Sequence, residues 1–259
     1  MTPTAQSQLR PLLAASVKMF YRSLDTVWFA AVSPFILLAV LALVRRLHFG
    51  LAHGGSISFF TFTAIGFAAF IAAHFNQDGM LGSASGYRAQ GVLKRIAVTP
   101  ISPHAFIAAQ VLTRLAVAVV QTVAFLAAAI ALGATIHYSP ELIWIVPLTA
   151  IAVLTGTGFG FAIAGAAKSP EAANQINIAI FTPVFLLAGV QYPLQGLPGA
   201  LPEVAEYLVP FAAPVQAFRE AVAGHLGGDF PRLILISLGW LALALTLAVR
   251  NYRLVERDA

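Results

Sequence analysis

Ile57-Ser-Phe-Phe-Thr-Phe-Thr-Ala-Ile-Gly-Phe-Ala-Ala-Phe-Ile-Ala-Ala-His-Phe75 runs for 19 residues without an Asp, Glu, Lys or Arg, and it ends at Asn76-Gln77-Asp78. A helix needs about 20 predominantly apolar residues to cross a bilayer, so this stretch reads as a transmembrane helix. The run is continuous and does not alternate, which argues against a barrel strand. Five more runs of the same kind follow the same logic. The six predicted spans cover about 26–44, 57–75, 105–132, 143–167, 172–190 and 233–249. Arg45-Arg46, Lys168 and Arg250 stop the first, fourth and sixth of them. The expected fold is an all-α integral membrane protein, with six transmembrane helices over residues 26–259.

Composition agrees. Of the 259 residues, 59% are hydrophobic and only 10% are charged, where a soluble domain carries about 25% charged residues. Mean hydropathy is +0.84. Disorder, collagen and coiled coil all need a more polar or periodic chain. There is no cysteine, which excludes disulfides, thiolate metal sites and a cysteine nucleophile. The net charge of +5 is first a topological signal. With the N-terminus inside, eleven basic residues lie on the inner side, Arg114 among them, against four outside: Arg45, Arg46, Arg219 and Arg232. Both termini are therefore expected in the cytoplasm, with the chain in the plasma membrane.

The segments between the runs are not plain loops. In residues 1–25, Leu9, Leu12, Leu13, Val17, Phe20 and Leu24 recur at helical spacing, with Arg10, Lys18 and Arg22 off that stripe. This pattern predicts a basic amphipathic helix lying in the inner headgroup plane. Between spans two and three, a short helix is predicted over Tyr87–Val98, and Thr99-Pro100 ends it because a residue before proline avoids the α region. Ser102-Pro103 then caps the next helix. The short helix combines Gly91, Leu93 and Ile96 with Lys94 and Arg95. Its charge fits a positive-inside anchor, and its mixed surface fits a docking site for a cytosolic partner. Residues 191–229 hold Pro193, Pro198, Pro202, Pro210 and Pro214 among apolar pieces. Short helices re-entering the outer leaflet fit this pattern, since irregular backbone at that depth must be buried in protein.

No GxxxxGK[ST] phosphate loop is present. Gly156-Thr-Gly-Phe-Gly160 reads instead as a GxxxG packing face. The six histidines lack metal-ligand spacing, and no span carries a deep Asp or Glu of the sort that drives ion-coupled carriers. The chain is expected to have no catalytic residue, no metal and no cofactor of its own, to bind no nucleic acid, and to draw energy from another subunit. Phe60, Thr63, Phe67, Phe70 and His74 share one face of span two. Cargo, lipid and a neighbouring helix all fit such a face. Span five opens with Glu171, Asn174, Gln175 and Asn177, polar groups that are costly against lipid. Phe60, Thr63, Phe67, Phe70, Asn174 and Asn177 are the candidate substrate path.

Two stretches carry a resemblance to a known family. One is Gly91-Val-Leu-Lys-Arg95 with Thr99-Pro100-Ile-Ser102. The other runs from Phe185-Leu-Leu-Ala-Gly-Val-Gln-Tyr-Pro-Leu194 through Leu197-Pro198 and Tyr207-Leu-Val-Pro210 to Pro214. In these the chain resembles the membrane subunit of ABC exporters of the type-2 family. The resemblance implies that Gly91, Leu93, Lys94, Arg95, Ile96, Thr99 and Pro100 form a coupling helix that meets the ATPase. It also implies outer re-entrant helices, two ABC ATP-binding subunits carrying ATP and Mg, and a homodimer or a heterodimer with a similar permease. Where the family often has acidic residues before the glycine, this chain has Tyr87, Ala89 and Gln90. The expected function is export of a hydrophobic or amphipathic small molecule such as a drug or natural product. A glycan or lipid-linked polymer exporter of the same architecture, and a non-transporting scaffold or intramembrane enzyme, are the alternatives.

Overall fold

The computed structural model describes residues 5–22, 32–43, 48–50, 56–99, 101–196 and 198–252. Helix α1 (Ala5–Arg22) falls on the predicted amphipathic segment and packs along the helix Pro103–Ala131. Helix α2 (Ser33–Leu43) is the described part of the first apolar run, whose residues 26–31 and 44 lie outside the described residues. A short antiparallel pair follows, β1 (His48–Gly50) and β2 (Ser56–Ser58), with Phe49 opposite Ile57. The pair is only three residues a side, and the fold is all-helical as expected. Ser56-Ile57-Ser58 alternates polar and apolar residues, the period of a strand.

The central element is α3 (Phe59–Ala89), 31 residues long. Ser58 caps its start, its hydroxyl accepting from the Thr61 amide at 3.0 Å. The sequence reading stopped this helix at Asn76-Gln77-Asp78, and the structure corrects it. The polar side chains find partners without breaking the helix: Asn76 Nδ2 donates back to the Ala72 carbonyl at 2.7 Å. The actual stop is Gly91, at φ 63°, a left-handed conformation that glycine adopts without a Cβ clash. At 1.5 Å per residue α3 is about 46 Å long, so it reaches roughly ten residues past a hydrocarbon layer about 30 Å thick.

Helix α4 (Val92–Ala97) follows Gly91. It is shorter than the predicted Tyr87–Val98, because Tyr87 to Ala89 belong to α3. Helix α5 (Pro103–Ala131) is capped by Ser102 as the sequence implied. A 3₁₀ turn (Pro140–Trp144) runs into α6 (Ile145–Ala166), and α7 (Pro170–Leu187) is capped by Ser169. Two short helices, α8 (Leu201–Leu208) and α9 (Ala212–Ala223), occupy the proline-broken segment before α10 (Phe230–Asn251).

Among the described residues, four helices are long and apolar enough to cross a membrane: Phe59–Ala89, His104–Ala131, Pro140–Ala166 and Phe230–Asn251. The sequence reading counted six. The described part of the first run forms a helix of only eleven residues, and α7 is 18 residues with a polar first half. Helix α3 is buried along nearly its whole apolar length, whereas Val120, Ile143, Leu235 and Val249 on α5, the 3₁₀ turn and α10 point outward. An outward apolar surface of this extent suits lipid.

Glycines set the closest contact. A methyl group at Gly160 on α6 would lie 2.7 Å from the Gln77 carbonyl oxygen on α3, and one at Gly156 would collide with the Ala73 carbonyl. Gly158, on the opposite face of α6, lies against Ala244 of α10. The GxxxG reading is thus a packing seam on both sides. Two arginines, Arg114 buried and Arg219 half-buried, staple the bundle. Arg114 Nη2 donates to the Gly79 carbonyl at 2.9 Å and to Ser83 Oγ at 2.8 Å. Arg219 Nη2 donates to the Gly189 and Val190 carbonyls at 2.6 and 3.1 Å, with its guanidinium 3.7 Å from the centre of the Phe62 ring.

Candidate functional site

A groove of about 400 Å³ opens between α2, α3 and α7. Helix α3 lines it with Phe67, Phe70, Ile71, His74, Phe75 and Asp78. Helix α7 lines it with Asn174, Asn177, Ile178, Phe181, Thr182 and Phe185, and Ser33, Pro34 and Leu37 of α2 close the side. Spacings of three and four place each set on one helix face.

The groove has an aromatic length and a polar end. Phe70 sits 5.1 Å from Phe185 and 6.1 Å from Phe181 between ring centres, and Phe67 sits 5.6 Å from Phe185. Behind them Phe211 turns its edge to Phe70, at 85° between planes. Phe211 is buried and holds φ at 72°, a left-handed backbone that is an outlier for a bulky residue. At the other end the His74 ring stacks on Phe181, 4.8 Å between centres. Gln77 Nε2 donates to Asn177 Oδ1 at 2.5 Å, and Asn177 Nδ2 donates to Asp78 Oδ1 at 2.6 Å. His74 Nε2 lies 3.3 Å from Asp78 Oδ2. This chain ties α3 to α7 through side chains alone.

A second feature sits at the far end of α3. Gly91 turns the chain, and Arg95 Nη2 folds back to the Gln90 carbonyl at 2.6 Å. Thr99 Oγ1 donates to the Ile96 carbonyl at 2.7 Å. Lys94, Arg95, Val98 and Thr99 are exposed, and Ile96 is half-buried. Arg88 Nη1 reaches across to the carbonyl ends of α6, at 2.5 Å from Ala164 and 3.1 Å from Gly165. A cation placed there also meets the negative end of the helix dipole.

The family model of the ABC-2 type transporter matches residues 7–223, from the first turn of α1 to the last residue of α9. The chain belongs to the ABC-2 type transporter family. No curated protein matches the sequence. As an ABC-2 permease it is a multi-pass membrane protein. Its family is a permease domain, not itself catalytic, and implies partnership with an ABC ATP-binding subunit.

The ABC-2 permease brings four of the six path candidates together: Phe67, Phe70, Asn174 and Asn177 all line the groove. Phe60 and Thr63 do not. Both are fully enclosed within the helix bundle, because α3 is surrounded on nearly every side near its Phe59 end. Of the coupling candidates, Gly91, Lys94, Arg95, Ile96 and Thr99 gather around α4. The side chain of Leu93 and all of Pro100 lie outside the described residues. Sequence reasoning missed Asp78, Phe181 and Phe185. The signal was available, since 174, 177, 178, 181, 182 and 185 form one helical face of polar then aromatic residues.

Proposed function

We propose that the chain is the transmembrane permease subunit of an ATP-driven exporter. Its cargo is a hydrophobic or amphipathic small molecule, such as a drug or natural product, taken from the cytoplasm or the inner leaflet. A separate ABC ATP-binding subunit, in two copies, carries the ATP and Mg. Two permeases, as a homodimer or a heterodimer with a similar chain, enclose the path, each contributing six spans with α2 and α7 among them. The permease sits in the plasma membrane with both termini cytoplasmic, α1 in the inner headgroup plane and α8 and α9 re-entering the outer leaflet.

One observation carries this reading. Helix α3 is a single rigid element that bears the aromatic wall of the groove and, beyond Gly91, the basic α4. A push on α4 passes through the Gly91 turn and then reaches Asp78, Phe70 and Phe67 along one unbroken helix, and packed elements of this kind transmit a distant event. The groove's volume of about 400 Å³ suits a small molecule, since such sites run about 300–1,000 Å³.

The test is co-expression with the ATP-binding subunit and reconstitution into sealed vesicles. ATP-dependent accumulation of a fluorescent hydrophobic dye is expected from the complex, and none from the permease alone. ATP hydrolysis by the purified permease with no ATP-binding subunit present contradicts the reading.

A further inference from the structure

The groove's lining is lopsided in charge. Among the described residues it holds one carboxylate, Asp78, one imidazole, His74, and no ammonium or guanidinium. Asp78 is kept as an acceptor. Gln77 occupies the oxygen of the Asn177 amide and so turns its NH₂ toward Asp78 Oδ1. His74 Nε2 is the neighbour of the other oxygen. A carboxylate has about four acceptor positions, and two are used among the described residues. The side chain is 42% exposed, and the exposed part faces the groove. A carboxylate at the end of an apolar trough favours a counter-charge far more than it does in open water. The rings beside it agree in sign, because an aromatic face attracts a cation. Phe70 and Phe181 both pack against His74, one helical turn before Asp78 on the same groove wall.

We infer that the cargo is a cationic amphiphile. Its apolar body lies among Phe67, Phe70, Phe181 and Phe185, and its organic cation, such as a protonated amine, lies against the open edge of Asp78. This rests on the exporter reading and narrows it. An anionic cargo meets a carboxylate and ring faces of the same sign, and a neutral cargo strips water from Asp78 without replacing it.

The test uses two hydrophobic ions of near-identical shape and opposite charge, tetraphenylphosphonium and tetraphenylborate. Each is equilibrated with the full-length chain in phosphatidylcholine nanodiscs, and empty discs set the partition baseline. The wild type is expected to bind the phosphonium above baseline and the borate not at all. Asp78→Asn is expected to weaken the phosphonium by at least about ten-fold, the scale of one lost charge-assisted contact, while Asp78→Glu retains it. Phe70→Ala is expected to weaken it as well. If Asp78→Asn binds as wild type while Phe70→Ala does not, the cation assignment falls and the groove stands. If neither substitution matters, or if the wild type binds no phosphonium, both the cation assignment and the groove's role fall. Should Asp78→Asn melt earlier than wild type, Asp78→Glu decides: retained binding supports the assignment and lost binding overturns it.

Discussion

Gln77 and Asn177 stand one hundred residues apart in the chain and 2.5 Å apart in space. Their bond is the first link of the only side-chain ladder described between α3 and α7, and both residues are buried. Removing one partner leaves the other without its bond. Gln77→Leu is expected to cost about 1–3 kcal/mol, the penalty of an unsatisfied buried polar group. Gln77→Leu with Asn177→Leu should cost less than the sum, because contacting residues are coupled. Thermal melts of the purified single and double variants check this.

Phe67 separates cargo from packing. Its ring is buried yet lines the groove. With the groove as cargo path, Phe67→Ala lowers transport at normal membrane abundance, losing about 0.5–1.5 kcal/mol of ring contact plus the area term. A ring whose work is packing instead costs about 3–5 kcal/mol, and transport and abundance fall together. Phe60→Ala is expected to behave in that second way. Dye transport and immunoblot abundance, measured on the same vesicles, separate the two.

The α4 surface predicts how the ATP-binding subunit attaches. Val98 is 87% exposed at its end, an apolar side chain with no reason to face water in the assembled complex. Burying one aliphatic side chain gives about 1.5–3 kcal/mol, whereas an exposed charge pair gives about 0–1. Val98→Asp and Ile96→Asp should therefore reduce co-purification of the ATP-binding subunit, and Lys94→Ala should leave it nearly unchanged. The melting temperature of the permease alone should not move with Val98→Asp.

Cysteine labelling reports the topology, since the native chain has no cysteine. Ser83 is a poor reporter because its hydroxyl is held by Arg114 and Gly79. Gln90 and Gly228 are both exposed. An impermeant maleimide on intact cells should label Gly228→Cys and spare Gln90→Cys until the membrane is permeabilised. The reverse pattern inverts the orientation.

The seam between α3 and α6 predicts a steep steric series. Gly160→Ala places a methyl group 2.7 Å from the Gln77 carbonyl, so the helices must separate. Overpacking of this kind costs about 1–3 kcal/mol, and Gly156→Val should cost more. Gly82→Ala has no neighbour within reach and serves as the control in the same melts.

What the sequence revealed, and what it hid, follows from range. Apolar runs and caps are local, so Ser102 marked the start of α5 correctly. The end of α3 was misplaced because Asn76, Gln77 and Asp78 look like a stop until their partners are known. Those partners, Ala72 and Asn177, include one from the far half of the chain. The groove was half legible for the same reason. Phe67 and Phe70 stood out as a stripe, but a stripe does not say which neighbour it meets. Phe181 and Phe185 supply that neighbour, and Phe60 shows that the stripe is enclosed toward its start.

The left-handed turn at Phe211 gives the groove a mechanical bias. A non-glycine residue in that conformation costs roughly 1–2 kcal/mol, and here the cost is offset by the ring's place among Phe70, Phe159 and Phe181. When cargo or a helix movement displaces that ring, the backbone between α8 and α9 is free to relax. The wall of the groove at Phe70 and Phe181 is therefore backed by a backbone turn whose conformation depends on how those rings pack.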